Sequence, residues 1–214
     1  MLVIGVAGGV ASGKSTVASL LGELGAVILD ADKLGHQVLL EPIIKLEVRK
    51  RFGDAIFDGQ SEIVRSRLAK LVFGGEPQSQ VNLVDLERIT HPRIGQLIRE
   101  ELDSLHKTGS VAVVLDAAVM FKAGWDSICD RIVFVEAAES VRINRAKLRG
   151  WTEQEFRQRE SQQLPLAEKL KKATEVIDNQ TDNRDDLRLR VRNIWRQWGL
   201  PIDLAVNKKS DSET

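Results

Sequence analysis

The chain has 214 residues, and its 31 lysines and arginines balance 31 aspartates and glutamates, so the formal net charge is zero. Neutral charge argues against a nucleic-acid partner, and the apolar and charged contents are those of an ordinary globular protein of one large domain or a core with an insertion. No apolar run approaches the roughly 20 residues of a membrane span, so no membrane partner is expected.

Cys129 is the only cysteine in the chain, which excludes an internal disulfide and favours a reducing compartment. We expect it to be a small buried side chain. The first ten residues, MLVIGVAGGV, carry no basic segment and lead directly into a glycine-rich motif. A signal peptide is therefore not expected, and a cytoplasmic protein is predicted.

The N-terminal residues predict a strand, a phosphate-binding loop and a helix. The stretch GVAGGVASGKST fits G-x-x-x-x-G-K-[ST], with Gly8, Gly13, Lys14 and Ser15 at the fixed positions, rather than an ordinary glycine-rich turn. Such a loop turns backbone N–H groups inward, its lysine reaches the β- and γ-phosphates, and its serine ligates Mg²⁺. The predicted ATP-binding residues of this segment are Gly8, Ala11, Ser12, Gly13, Lys14, Ser15 and Thr16.

Four further short runs rich in Val and Ile predict strands: GAVILD, SVAVVLD, DRIVFVE and the weaker TEVIDN. We interpret the first three as buried. Because helical patterns separate these runs, they predict an α/β fold with a parallel sheet covered by helices on both faces. Ligands bind beyond the carboxyl ends of such strands. The predicted nucleotide-binding core comprises residues 1–32, 109–138 and 173–200.

Residues 33–108 have a different pattern, which predicts a helical insertion. Helical periodicity covers about 33–52, 64–73, 81–89 and 93–106, no convincing strand interrupts it, and FGGEPQSQ is the predicted loop. An insertion of this size beside a nucleotide site is a candidate platform for a second substrate. The alternative is a purely structural buttress.

Residues 139–172 are helical and basic. Gly150 and Trp151 interrupt the pattern, and Thr152 with Glu155 predicts a capping box for the next helix. Arg145 and Arg149 are four residues apart and share a helix face. The segment is either a solvated charged surface or a lid that brings arginines to the transferred phosphoryl group.

Acidic side chains follow two of the predicted strands. Asp30 and Asp32 would face the same way in extended chain, one helping to hold Mg²⁺ through water and the other accepting a hydroxyl proton. Either could instead cap the following helix. Asp116 has the position of a second magnesium-side acid, or it orders the next turn. The chain's NKK stretch, residues 207–209, lacks the aspartate of a guanine-reading motif, so a small-molecule kinase is the simplest prediction.

Several motifs along residues 2–198 resemble the dephospho-coenzyme A kinase family. They are GGVASGKST, ILDADKLGHQVL, RFGDAIFDG, LAKLVF, LERITHPRI, VLDAAVMFKAGW and RESQQLPLAEKLKKATEVIDN. The resemblance implies a P-loop kinase core with a CoA-binding helical insertion and a lid. It also implies Mg²⁺-dependent transfer of the ATP γ-phosphate to the ribose 3′-hydroxyl of dephospho-CoA, the last step of coenzyme A synthesis.

The resemblance also implies residue roles. Asp32 matches the residue proposed as base for the acceptor hydroxyl, and Arg145 and Arg149 match lid arginines near the nucleotide. Arg65 and His91 fall in segments of the acceptor side, to which Asp30 is also assigned. The predicted catalytic residues are Lys14, Asp32 and Arg149. The predicted magnesium ligand is Ser15, with Asp32 or Asp116 acting through water.

The chain departs from the family pattern at several positions, namely Ala7, Ala118, Lys122, Gly150 and Thr174. These departures concern acceptor binding and lid closure rather than the phosphate loop. Two alternatives to dephospho-CoA kinase are another P-loop kinase, for a nucleotide or a sugar acid, and a nucleotide-binding regulator without transfer activity. The retention of Lys14 and Asp32 argues against the regulator. Residues 201–214 are predicted to be a polar tail, and the oligomeric state is left open.

Overall fold

The structure, a computed structural model, describes residues 1–74 and 76–202. It divides into two compact units. The first comprises Met1–Asp30 and the described chain from Leu102 onward, and the second comprises Ala31–Glu101. Apart from residues 201 and 202, the predicted polar tail lies outside the described residues, as does the NKK stretch.

The first unit contains a five-stranded parallel sheet in the order β2-β3-β1-β4-β5. The strands are β1 (Leu2–Gly8), β2 (Val27–Asp30), β3 (Ala112–Asp116), β4 (Arg131–Glu136) and β5 (Glu175–Asp178). All five predicted strands are therefore present, and the predicted α/β fold is confirmed. Because the sheet is parallel, the carboxyl ends of the strands share one edge with the loop that follows β1.

The helices found in the described residues are α1 (Lys14–Glu23), α2 (Ala31–Val38), α3 (Pro42–Phe52), α4 (Arg65–Phe73), α5 (Pro77–Lys107), α6 (Glu139–Leu148), α7 (Glu153–Ser161), α8 (Leu166–Lys171) and α9 (Arg184–Gln197). Short 3₁₀ turns occupy Asp54–Ile56 and Trp125–Ile128. Among the described residues, no helix has the length and apolar character needed to span a bilayer.

Helices α1 and α9 cover the sheet and form the core of the first unit. Trp195, Leu20 and Leu21 are at most 1% exposed and belong to one cluster with Ile4 and Val6 of the central strand. Burial of so much apolar surface fixes the position of β1. The loop that follows β1 therefore starts from a rigid support.

The prediction that the second strand is buried was wrong in part. Leu29 is buried, but Val27 and Ile28 of β2 are 38% and 44% exposed. The reason is topological, because β2 is an edge strand that pairs only with β3. In contrast, all the apolar residues of β3 are fully buried.

The predicted single helix over 33–52 is two helices. Helix α2 ends at Val38, and α3 begins at Pro42 after Glu41, whose backbone is extended (φ −69°, ψ 133°). A proline disfavours helical geometry in the residue before it and is well tolerated in the first helical turn. Pro42 therefore starts a new helix where the apolar periodicity alone suggested continuation.

The predicted break between residues 89 and 93 was also wrong. Helix α5 runs from Pro77 to Lys107 with Pro92 inside it. Buried side chains recur every four residues through the proline, at Thr90, Ile94, Ile98 and Leu102. This continuous buried stripe outweighs the hydrogen bond that a proline removes.

The predicted loop FGGEPQSQ is shorter than expected because α5 already begins at Pro77. Two polar residues of that first part of the helix, Ser79 and Asn82, are buried. The Asn82 amide donates to Leu71 O (3.1 Å) and accepts from Arg51 Nη2 (2.8 Å). Tertiary hydrogen bonds thus stabilise a helical start that the polar composition argued against.

We expect the Cys129 thiol to be unreactive in the folded protein. Burial, reinforced by Asp126 and Asp130, raises its pKa to about 12. At pH 8 the thiolate fraction should then be about 10⁻⁴, and the thiolate is the reactive form. Titration with Ellman's reagent should detect almost no thiol at pH 8 without denaturant and one thiol per chain in guanidinium chloride. Stoichiometric labelling of the folded protein within minutes would contradict this expectation.

Candidate active site

The loop between β1 and α1 has a backbone that only particular residues can adopt. Gly8 and Gly13 have φ values of +146° and +101°, and Ala11 is left-handed at +58°. A Cβ atom on Gly13 would also lie 2.2 Å from Asn179 Nδ2. The motif glycines are thus required for both conformation and close packing. The exposed Ser15 lies in the first turn of α1, at the positive end of the helix dipole.

The ammonium group of Lys14 lies within this loop. Its Nζ donates to Gly9 O (2.7 Å) and lies 3.4 Å from Gly8 O. Burial, followed by the positive charge of Lys169, lowers the Lys14 pKa to about 8, although Asp116 and Glu160 act in the opposite direction. Because the Lys14 charge has lost part of its hydration in this loop, it would interact strongly with an anion that binds there.

Three side chains from later parts of the chain hold the loop by its carbonyls. Asn179 Nδ2 and Arg145 Nη1 donate to Ser12 O at 2.7 Å and 3.3 Å, and Lys169 Nζ donates to Gly8 O at 3.1 Å. We did not predict Asn179 or Lys169 as site residues. Both belong to the QQLPLAEKLKKATEVIDN stretch, whose sequence indicates the family but gives no separate signal for either residue.

A buried ion pair joins α6 and α7 to the loop. Arg142 is 3% exposed, its Nη1 contacts both Glu160 Oε1 and Val10 O, and its Nε donates to Ala137 O. The Glu160 carboxylate also accepts from Val10 N at 3.4 Å. The sequence signal for Arg142 was only one arginine among several, so its structural role could not be distinguished from that of exposed neighbours.

An open cavity of ≈370 Å³ lies beside the loop. Gly13 and Thr16 line one side, and Arg145 and Arg149 line another, with Asp182 in the segment after β5. Arg145 donates to Asn179 O and Thr181 O, both at 3.0 Å, whereas Arg149 at the end of α6 is exposed. The cavity therefore brings together four of the predicted ATP-binding residues. Two of the four are arginines, of which Arg145 is held by hydrogen bonds and Arg149 is exposed.

The predicted acidic residues do not share one extended segment. Asp30 and Asp116 are register partners at the ends of β2 and β3. Asp32, however, lies in the first turn of α2, so the expectation that it continues the strand geometry of Asp30 was wrong. The chain enters the helix at Ala31, and an aspartate in the first turn is favoured by the helix dipole. Its catalytic role stays a prediction.

The acceptor-side residues Arg65 and His91 lie in the second unit. Arg65 begins α4, and its Nη2 is 2.6 Å from His36 Nε2. Arg65 and His36 line an apolar cavity of ≈430 Å³ together with Leu68 and Phe73. His91 lies in the middle of α5 and is not among the residues that line this cavity.

Two of the departures from the family pattern have local structural explanations. Gly150 ends α6 with φ +80°, and its N–H donates to Lys147 O (2.9 Å), as in a glycine C-cap. The Thr174 hydroxyl accepts from Ile132 N (2.9 Å) and lies 3.2 Å from Ile132 O, which joins the start of β5 to β4. Nothing in the structure explains the change at Lys122.

A phosphate loop after the central strand of a parallel sheet, with arginines beside it and acids at the strand ends, defines a P-loop kinase. The family model for dephospho-CoA kinase (CoaE) matches residues 2–185. The chain belongs to the dephospho-CoA kinase family.

Individual relatives agree with this family assignment. The dephospho-CoA kinase of Syntrophotalea carbinolica is 40% identical over 181 residues, which cover 84% of each chain. That of Geobacillus kaustophilus is 36% identical and covers 92% of this chain and 96% of its own. The crystal structure of TT1252 from Thermus thermophilus is 32% identical, with a TM-score of 0.74, and covers 92% of this chain and 97% of that one.

Proposed function

We propose that the protein transfers the γ-phosphate of ATP to the ribose 3′-hydroxyl of dephospho-CoA, which yields coenzyme A. The observation that carries the proposal is the buried Lys14 ammonium in a glycine loop, beside a cavity lined by Arg145 and Arg149. Family membership supports the choice of acceptor. The same membership argues against the alternative function, a P-loop kinase that phosphorylates a nucleotide or a sugar acid.

The phosphate loop binds the triphosphate through inward N–H groups and the Lys14 charge. Arg145 is held by three backbone carbonyls and an ion pair with Asp182, so it forms a fixed wall of the nucleotide cavity. Arg149 is exposed and has no such restraint from the residues that the structure describes, which suits a side chain that reaches the transferred phosphoryl group. The lid role of residues 139–172 rests on this difference.

The residues present fit a magnesium ion. Mg²⁺ prefers oxygen ligands and, at a nucleotide, takes one or two from the protein and the rest from phosphates and water. The Ser15 hydroxyl at the start of α1 would hold it directly, with Asp116 or Asp32 acting through water. When bound, the ion neutralises negative charge on the β- and γ-phosphates.

The second unit would bind the acceptor. Its cavity combines apolar side chains with Arg65 and His36, which suits a substrate that carries a long neutral chain next to phosphates. Asp32, the first acid of α2, would orient the 3′-hydroxyl and accept its proton, while Asp30 supports the strand end. His91 is a further acceptor-side residue in this proposal.

An acceptor screen tests the proposal. ADP release from ATP should be measured with Mg²⁺ and, in turn, dephospho-CoA, adenosine, AMP and CMP. We expect dephospho-CoA to be the preferred acceptor by kcat/KM. Preference for a nucleotide would favour the alternative kinase, and ATP binding without transfer to any acceptor would favour a regulator.

We expect Arg149→Ala to act on the transition state more than on ATP binding. Negative charge on the transferred phosphoryl group must be balanced during transfer, and arginines that do this contribute on the order of 10²-fold or more to kcat. Steady-state kinetics should therefore show kcat lowered to that extent with a modest change in the KM for ATP. Arg157→Ala, at an exposed ion pair with Glu153 on α7, is the control and should leave both parameters unchanged. A raised KM with unchanged kcat would make Arg149 a binding residue.

We also propose that the protein acts in the cytoplasm. The support is its single cysteine, which fits a reducing compartment.

A further inference from the structure

Two lysine ammonium groups meet at one carbonyl of the phosphate loop. Lys169 of α8 is 4% exposed, and its Nζ donates to Gly8 O (3.1 Å) and Gln163 Oε1 (2.6 Å). Lys14 Nζ lies 3.4 Å from the same Gly8 O. The loop motif explains Lys14 but assigns no role to Lys169.

A buried lysine at this position needs an explanation because burial of an ammonium group is costly. Both hydrogen-bond acceptors of Lys169 are neutral oxygens. Burial lowers its pKa to about 8, an effect that Glu160 opposes and Arg142 reinforces. A methionine would fill the same space without the desolvation cost of a charge. The Lys169 ammonium group is therefore expected to have a role in the site.

We propose that Lys169 is a positioning residue that acts through Lys14: by holding the Gly8 carbonyl, it frees the Lys14 ammonium to contact the nucleotide phosphates. The inference rests on the proposed function only in taking phosphoryl transfer as the reaction.

The hydrogen bonds of the loop show how this works. The Lys14 ammonium has three N–H donors and two carbonyl acceptors, so contact with both the β- and γ-phosphates requires it to exchange a carbonyl for a phosphate oxygen. Gly9 O then keeps a donor in Ser12 N (3.2 Å), and Gly8 O keeps Lys169. Neither carbonyl is left unpaired in the loop, which would otherwise cost free energy. Repulsion between the two ammonium groups favours the same movement of Lys14 towards an anion.

Lys169 itself does not contact the nucleotide in this account. Lys14, Lys169 and Gln163 line a common cavity of only ≈10 Å³, which has room for about one water molecule. A phosphate does not fit there. Lys169 therefore acts on the substrate only through the loop and Lys14.

A double-mutant cycle tests the proposal with four proteins: wild type, Lys14→Met, Lys169→Met and the double variant. ATP affinity, measured by calorimetry without acceptor, and single-turnover transfer to dephospho-CoA are the two measurements. We expect Lys169→Met to lower transfer by about tenfold or more in the wild-type background and by less than about threefold in the Lys14→Met background. Lys169→Arg should restore most of the transfer, because it keeps the donor and the charge.

Lys171→Met is the matched control, since Lys171 is an exposed residue of the same helix and pairs with Glu168 at the surface. It should leave both measurements unchanged. Equal effects of Lys169→Met in the two backgrounds, or an equal effect of Lys171→Met, would overturn the proposal. If Lys169→Met does not fold, Lys169→Gln takes its place in the cycle. If wild type transfers no phosphate to dephospho-CoA, the proposed function fails, and the ATP affinities alone decide the role of Lys169.

Discussion

Lys14→Met should lower kcat for phosphoryl transfer by about 10²–10³-fold, the loss that follows removal of one preorganised group that stabilises developing charge. The Lys14 ammonium is held among the carbonyls of Gly8 and Gly9, so the substitution removes the charge that the loop presents to the phosphates. ATP affinity should fall as well, since the same charge attracts the bound triphosphate. Rapid-quench kinetics with labelled ATP would measure the transfer step directly.

The fold should tolerate this substitution. Because burial lowers the Lys14 pKa, its charge destabilises the folded state below pH 8 relative to an exposed lysine. Gly8 O and Gly9 O both keep another donor. Thermal unfolding of Lys14→Met should therefore occur at or above the wild-type temperature. Lys50→Met, at an exposed ion pair with Glu47, is the control for activity. Wild-type turnover by Lys14→Met would refute the phosphate-loop assignment.

Asp32→Asn should lower single-turnover transfer by roughly 10²–10⁴-fold, the usual contribution of a general base. The amide keeps the size and hydrogen-bonding capacity of the carboxylate but accepts no proton from the 3′-hydroxyl. Calorimetry should show that ATP and dephospho-CoA still bind. The separation of binding from transfer is the distinctive result, because a purely structural aspartate would change both.

Asp54→Asn is the matched control for this change. Asp54 belongs to the same unit, and its carboxylate is 88% exposed in a surface pair with Arg49. Loss of ATP binding in Asp32→Asn would make Asp32 a structural or magnesium-side residue. Unchanged transfer would mean that the hydroxyl needs no base at this position.

The sheet could be predicted because its signals are local. Each strand is a short run of β-branched residues, and burial of β1 and β3 in the middle of the sheet accounts for their unbroken apolar sequence. The exposure of Val27 and Ile28 depends on strand order, which the runs themselves do not encode.

The helices of the second unit were harder to predict because proline has two effects. Pro42 starts a helix, whereas Pro92 lies within one. The difference comes from the buried stripe around Pro92, and such a stripe is known only once the packing is known. Single-sequence periodicity places apolar residues but does not say which of them are covered.

The candidate site was predictable where the chemistry is carried by a contiguous motif. Gly8, Gly13, Lys14 and Ser15 follow from the spacing in the sequence. Lys169 and Asn179 support the loop from more than 150 residues away, through contacts with Gly8 O and Ser12 O. Every residue has a backbone carbonyl, so the sequence of the loop does not show which side chains bind its carbonyls. This explains why Lys169 and Asn179 were not predicted.

The most direct test of the account is identification of the product formed from ATP and dephospho-CoA. Phosphorus NMR should show a new phosphate monoester resonance that grows with ADP, and mass spectrometry should show addition of one phosphoryl group. Treatment with a 3′-nucleotidase should return dephospho-CoA. A product that resists this enzyme would place the phosphate elsewhere, and ADP formation without a phosphorylated acceptor would contradict the assignment of the protein as a dephospho-CoA kinase.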